Sequence, residues 1–465
     1  MQRVAYATHF SASLLPSPLP PSVLSPPVSS APPSRPSSGI TYEKAVRFRG
    51  PPIIERVTDL ATRPAPTLLR RAAPALLGYA AVRSLGLVVL ALWSAARDKS
   101  AHTLLTARWD SLWYVRVADL GYGYEVRLPG GDIHSNLAFF PLLPWLERTV
   151  SAVTPLSSAD AGLLVSTFAS LAAAWGIFAV ADHVYGSRHV YGSREEEGRE
   201  ARPGKGGGGR RVGLCAVLLW AVLPVGIVQS MAYTESLFTA LAAWALYAVL
   251  TDRWILAGTL ASLAGLTRPV GLAVVAALWA TALVHSWGRD RSSPQPDGAP
   301  AWRRALGMLL APLGAAGYVL WVGHHTGKGL FGYLDVQAGW RNGFDGGYAF
   351  ARFVADKFTS FPSALAGAGL VVGVALVVWL YVVCVRQGQP LPLLVYTGVV
   401  VALALCASSY FGSKPRLLMP AFPLLLPLAT ALARLRPARS VPVVAGIAVA
   451  SALYGAFWLN GSGPP

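Results

Sequence analysis

Apolar positions in this chain do not alternate with polar ones. They run together for about 18 residues or more at a time, long enough to cross a bilayer core of about 30 Å as helix. Read in order, the runs give eleven candidate spans: 72–96, 160–182, 212–228, 233–250, 254–267, 269–286, 305–323, 360–386, 391–410, 416–433 and 440–459. Residues 138–154 are also apolar but hold Pro141, Pro144, Glu147 and Arg148, a pattern that suits a helix lying in the membrane interface. The fold class expected is an all-α polytopic membrane protein of about 11 transmembrane helices, with an outer loop carrying interfacial helices.

The pair 254–267 and 269–286 is divided at Arg268-Pro269, because proline cannot continue a helix and the residue before it is pushed to extended backbone. The spans occupy residues 71–460. Residues 1–70 contain SPLPPSVLSPPVSSAPPSRPSSG, a Pro/Ser tract too poor in apolar surface to fold, expected as a disordered tail. That tail lacks the charged start and apolar core of a cleavable signal peptide.

Charge then orients the spans. With the N-terminus inside, the loop 183–211 is cytoplasmic and alone carries seven Lys and Arg, while the loops 97–159 and 324–358 lie outside. The inner side collects more Lys and Arg than the outer, as positive-inside anchoring requires. The Gly-rich GKGGGGRR at 204–211 lacks the spacing and the preceding strand of a phosphate loop, and with the VYGSR repeat it reads as a flexible connector.

Composition agrees with this reading. The chain is 54% hydrophobic and 13% charged, about half the usual charge of a soluble domain. Its net charge of +17 is scattered through loops rather than gathered on one face, which argues against nucleic acid. Cys215, Cys384 and Cys406 sit inside apolar runs without metal-ligand spacing, and His324-His325 lack a third ligand. The sequence makes no cofactor certain, and it leaves a divalent metal open without indicating one. The excess of arginine over lysine, with abundant alanine, suits a GC-rich bacterial genome.

The polar chemistry collects on one side. The first outer loop supplies Arg108, Trp109, Asp110, Tyr114, Glu125 and Asn136; MAYTESLF supplies Tyr233 and Glu235; later outer turns supply Arg268, Arg341 and Arg416. Acids can deprotonate or orient a hydroxyl, and arginines can hold phosphate through forked hydrogen bonds. For any single aromatic ring, membership of an interfacial belt is the better reading. Glu235 and Arg268, beside the hydrocarbon, need a partner or a purpose.

RWDSLWYVRVADLGYGYE at 108–125, followed by NLAFFPLLP at 136–144, resembles the PIG-V family, of the GPI mannosyltransferase 2 type. YTESLF at 233–238 resembles that family's second block, and the Arg268 region and KPRLLMPAFPLL at 414–425 resemble weaker later ones. The insert VRLPGGDIHS between Glu125 and Asn136, and Pro269 after Arg268, depart from the family pattern.

The resemblance implies a GT-C glycosyltransferase: a multi-spanning enzyme of the cell membrane with its active site on the extracytoplasmic face. It implies a polyprenyl-phosphate-linked sugar donor, mannose by family, and a lipid or glycan acceptor; a bacterium makes no GPI, so the acceptor is something else. It implies Asp110 as the catalytic carboxylate with Glu125 and Glu235 in support. Arg108, Trp109, Tyr114, Asn136, Tyr233, Arg268, Arg341 and Arg416 are then expected at the substrates. A lipid or solute transporter would place ionisable residues near the bilayer midplane and pair its halves. An inactive membrane scaffold would not need a complete first block.

Overall fold

The computed structural model of the chain describes residues 67–191, 208–287, 300–408 and 410–461. The expected tail up to residue 66, residues 192–207 of the loop expected to be cytoplasmic and of its Gly-rich stretch, and 288–299 of the next loop lie outside the described residues.

The described chain is helical. It opens with α1 (Leu68–Ala95), whose first turn is capped by the Thr67 hydroxyl accepting from the Arg70 N–H. Two short helices follow, α2 (Ala101–Thr106) and α3 (Asp110–Leu120), then the strands β1 (Glu125–Arg127) and β2 (Ile133–Ser135). The strands pair antiparallel with Val126 opposite His134, so the insert VRLPGGDIHS is a hairpin. Next come α4 (Leu142–Val153), α5 (Ser158–Tyr191) and α6 (Gly208–Ala221), then α7 (Thr234–Leu250), α8 (Trp254–Gly265) and α9 (Leu272–Trp287). The chain continues through α10 (Ala301–Leu310), α11 (Leu313–His325), α12 (Gly332–Gly339), β3 (Gly343–Phe344) and α13 (Tyr348–Asp356). It ends with α14 (Ser363–Arg386), α15 (Leu391–Cys406), β4 (Ala407–Ser408), α16 (Lys414–Leu418), α17 (Leu426–Arg434) and α18 (Pro437–Leu459). β3 pairs antiparallel with β4, tying the segment after α12 to the end of α15.

Each of the eleven candidate spans contains a helix. Six are long and apolar enough to cross a membrane, and the pair Phe411–Leu418 and Phe422–Arg434, bent by 72°, makes a seventh if it is one broken span. α6, α7, α8 and α15 are shorter, from 12 to 17 residues. α7 shows why length and burial part company: nearly all of it, from Thr234 to Val249, is buried by neighbouring helices rather than offered to lipid.

The core is helix on helix. α5 packs on α6 and α7, α1 on α18 and α6, and α9 on α15. Trp220, Trp254, Tyr79, Phe178 and Phe238 fill the centre. α8 meets α10 and α11 at very short range, because Gly258 lies against the Gly307 backbone and Gly314 against the Ser262 carbonyl. Small residues at such crossings let backbones approach where lipid offers no hydrophobic drive.

The break at Arg268-Pro269 is real. Arg268 is extended (φ −168°, ψ 159°), a 3-10 turn covers Pro269–Gly271, and Gly271 packs on the Gly265 backbone as the chain folds back. α4 is short and two-faced, with Leu143 and Glu147 buried and Trp145 exposed, as expected of an interfacial helix.

The strip 136–140, α11 and α12 are bolted together by a smaller cluster of Leu137, Phe140, Tyr318, Val322 and Tyr333. Tyr318 Oη donates to the carbonyls of Leu137 and Phe139, at 2.9 and 2.8 Å, and Tyr122 Oη donates to Phe139 as well. These bonds fix the strip 136–140 on α11, which sets one wall of the site.

Candidate functional site

The site begins with a strained residue. Trp109 has φ 51° and ψ −121°, backbone that favours glycine and costs a larger residue about 1–3 kcal/mol. Ser111 closes the turn: its Oγ accepts from the Arg108 N–H at 3.0 Å and donates to the Arg108 carbonyl at 2.6 Å. The turn sets Asp110 in the first position of α3, where the helix dipole favours a carboxylate.

Asp110 Oδ2 meets Arg416 Nη1 at 2.8 Å, although 306 positions separate them in the chain. Arg416 Nε lies 3.2 Å from Glu235 Oε1, and the same oxygen takes Arg268 Nη2 at 3.0 Å. Two carboxylates and two guanidinia thus form one alternating network. Glu235 is 1% exposed and Arg416 9%, whereas Asp110 keeps 27% and Arg268 13% of its side chain in reach of solvent. Four separate segments deliver these groups: α3, the first turn of α7, the break before α9, and α16.

α16 is itself held in place. The buried Lys414 Nζ donates to the carbonyls of Ala404 and Ala407, at 2.7 and 2.9 Å, satisfying the end of α15 as a cation at a helix C-terminus should. The Tyr233 ring lies 5.1 Å from the Arg416 guanidinium. Tyr114 Oη bonds Thr234 Oγ1 at 3.1 Å, so α3 and α7 are joined beneath the network. Burial, with the nearby charges of Asp110 and Glu235 adding to it, raises the Tyr114 phenol above its ordinary value and keeps it neutral.

Above the network opens a cavity of about 550 Å³. Asp110, Arg268 and Arg416 line one part of it; Trp113, Phe139 and Trp340 line another, with Gln337 and Asn342 among them. Of the expected residues, Trp109 and Tyr114 also line it. Glu235 and Tyr233 do not; they lie behind the guanidinia and hold them.

Four expected residues are placed elsewhere. Arg108 stacks on Trp109 at 3.9 Å and donates to the carbonyls of Leu459 and Gly461. Glu125 is exposed on β1. Asn136 is buried and holds the turn before β1, accepting from the Gly123 N–H and donating to the Gly121 carbonyl, each at 3.0 Å. Arg341 pairs with Asp132 at 2.7 Å. Among the described residues, no group of three or more His, Cys, Asp or Glu is placed to hold a metal ion.

The sequence did not single out Trp113, Phe139, Gln337, Trp340 or Asn342 as site residues. The density of aromatic residues in both outer loops was the available signal.

No family model matches the chain, and no curated protein does. The chain is similar to a crystal structure of ArnT from Cupriavidus metallidurans in the apo state, with TM-score 0.41 and 14% identity, covering 78% of this chain and 56% of that one. It is also similar to the Archaeoglobus fulgidus oligosaccharyltransferase in complex with Zn and sulfate, with TM-score 0.40 and 14% identity over 82% and 53% of the two chains. A third is the archaeal oligosaccharyltransferase AglB from Archaeoglobus fulgidus in complex with an inhibitory peptide and a dolichol-phosphate, with TM-score 0.40 and 11% identity over 83% and 56%. The chain spans a little over half the length of each. At this level no residue role is carried over from them.

Proposed function

We propose that this chain is a membrane glycosyltransferase of the GT-C kind, moving a sugar from a polyprenyl-phosphate carrier to a lipid or glycan acceptor at the extracytoplasmic face. Mannose is the sugar that the resemblance to the PIG-V family implies. The observation that carries the reading is a carboxylate and two guanidinia on one cavity wall: Asp110 paired to Arg416, with Arg268 beside them on the shared Glu235.

The chemistry follows from charge. The acceptor hydroxyl oxygen attacks the anomeric carbon, the bond from that carbon to the phosphate oxygen breaks, and the phosphate leaves with the electron pair. The hydroxyl proton passes to Asp110, acting as general base. The leaving phosphate goes from one negative charge toward two, and Arg268 and Arg416 are fixed cations placed to stabilise that gain. Glu235, buried behind both, keeps their planes oriented before substrate arrives. A single displacement inverts the anomeric configuration. No step calls for a metal.

The test is transfer from a polyprenyl-phosphate sugar by purified wild type and Asp110→Asn at equal folded amounts. Asn preserves shape and removes basicity, so the rate should fall by about 10²–10⁴. Rates within a few-fold of each other would overturn the reading.

A further inference from the structure

The charged part of the cavity accounts for phosphate and proton transfer. It does not account for the part built by the second outer loop. α12 and the turn after it send three side chains to the lining: Gln337, Trp340 and Asn342. Trp340 is held firmly. Its indole N–H donates to the Ser135 carbonyl at 3.0 Å, and the His134 ring stacks on it at 4.0 Å between centroids. Trp113 and Phe139 meet it edge to face, at 4.8 and 5.4 Å. Despite these four contacts Trp340 stays only partly buried, because it also borders the cavity.

The polar neighbours are equally set. Asn342 Nδ2 donates to Gln337 Oε1 at 2.9 Å, which leaves the Asn342 carbonyl oxygen to accept from a ligand. Arg341, between Trp340 and Asn342, takes φ 55°, a left-handed position unusual for a non-glycine residue. Strained turns of this sort collect at ligand clamps.

A rigid indole beside an amide acceptor matches one class of ligand well. A pyranose has an apolar C–H face, which lies on an aromatic ring, and hydroxyls around its edge, which bond to amides. A bare lipid chain would cover the indole but strand the amides, and burying an unpaired polar group is costly. A phosphate would seek the arginines.

We infer that Trp340, with Asn342 beside it, forms a stacking subsite for a pyranose ring. The inference rests on the transferase reading and extends it: the second outer loop reads sugar, while the first supplies the reacting carboxylate. The ring could be that of the acceptor or that of the donor, and the experiment separates the two.

Methyl α-mannopyranoside and methyl β-glucopyranoside are titrated into protein held in phosphatidylcholine nanodiscs, with binding read by saturation-transfer NMR. Wild type should bind at least one of them. Trp340→Phe keeps a stacking face and should remain within about threefold, while Trp340→Leu should weaken binding about tenfold, the loss expected of one good aromatic contact. Size-exclusion profiles and apparent Tm confirm folding, and the Phe variant controls for disturbance of the turn.

Equal binding by wild type and Trp340→Leu would overturn the subsite, as would binding of neither pyranoside by folded wild type. In Asp110→Asn loaded with polyprenyl-phosphate mannose, a pyranoside that still binds marks an acceptor ring; one that is excluded marks the donor ring. Asp110→Asn also separates the two ideas. If it retains transfer, the mechanism fails, and Trp340-dependent sugar binding stands on its own.

Discussion

Replacing Arg416 with Gln would leave Glu235 on Arg268 and strip Asp110 of its guanidinium partner. In the native site the formal charges of Asp110, Glu235, Arg268 and Arg416 cancel across contacts of 2.8, 3.2 and 3.0 Å. Glu235 and Arg416 are nearly inaccessible, so water screens their interaction little; Asp110 is partly exposed, and solvent eases its loss. Removing one partner of a buried pair typically costs about 3–5 kcal/mol. Because Arg268 stays on Glu235, the lower end applies, and Arg416→Gln should destabilise by about 3 kcal/mol. Glu235→Gln should cost a similar amount, since it leaves Arg268 without its carboxylate. The double variant removes one charge of each sign and leaves Asp110 and Arg268 in balance. Its loss should therefore fall short of the sum of the singles by about 1–3 kcal/mol. Denaturant titration of all four proteins in mixed micelles, followed by tryptophan fluorescence, measures the cycle. Additivity within about 0.5 kcal/mol would refute the claim that these residues act as one network.

Two further expectations concern stability. Glu147 is fully buried with no hydrogen-bond partner on either oxygen among the described residues, and burial, with Asp119 adding to it, raises its pKa well above the ordinary value. A carboxyl raised in the folded state binds more protons there than in the unfolded one, so stability falls as pH rises from about 4.3 toward the folded pKa. Glu147→Gln should flatten that decline in apparent Tm measured between pH 5 and 8; an unchanged slope would mean that Glu147 is not its source. Gly258 and Gly307 permit the close crossing of α8 and α10, so Gly258→Leu should force the helices apart and lower yield and apparent Tm. Gly317, where an added Cβ meets open space, is the control, and Gly317→Ala should be tolerated.

The spans were legible because apolar length is a local property, as was the break at Arg268-Pro269. Their burial was not. Nothing in the composition of α7 distinguishes a helix wrapped by others from one facing lipid, since both are apolar all round. Asp110 and Arg416 were each suspected from location, but their contact joins residues 306 positions apart and depends on where α3 begins and where α16 lies against it. The role of Glu235 was half visible. A buried acid demands a cation, and the sequence offered Arg268; that it would also hold Arg416 needed the fold. Glu125 was grouped with Asp110 through the resemblance of the 108–125 block, yet the hairpin that it begins leaves it exposed, since successive strand residues point to opposite faces.

Arg108 and Arg341 show why the fold needs more cations near the cavity than the chemistry uses. Only four non-glycine residues among those described have positive φ, and two of them, Trp109 and Arg341, stand at the cavity's two walls. Trp109 sets Asp110, and Arg341 separates Trp340 from Asn342. Each strained turn costs about 1–3 kcal/mol and persists only where its surroundings over-determine it. Arg108 supplies that restraint at the first, stacked on Trp109 and bonded to carbonyls at the end of α18. Arg341 supplies it at the second by pairing with Asp132 across the hairpin. The second restraint is weaker, because an exposed ion pair contributes about 0–1 kcal/mol, whereas Trp340 adds its own four contacts there. The arginines that line the cavity and those that do not are thus divided by burial. Arg268 and Arg416 are held by an inaccessible carboxylate and point their charge at the cavity, while Arg108 and Arg341 use theirs to keep its walls in shape.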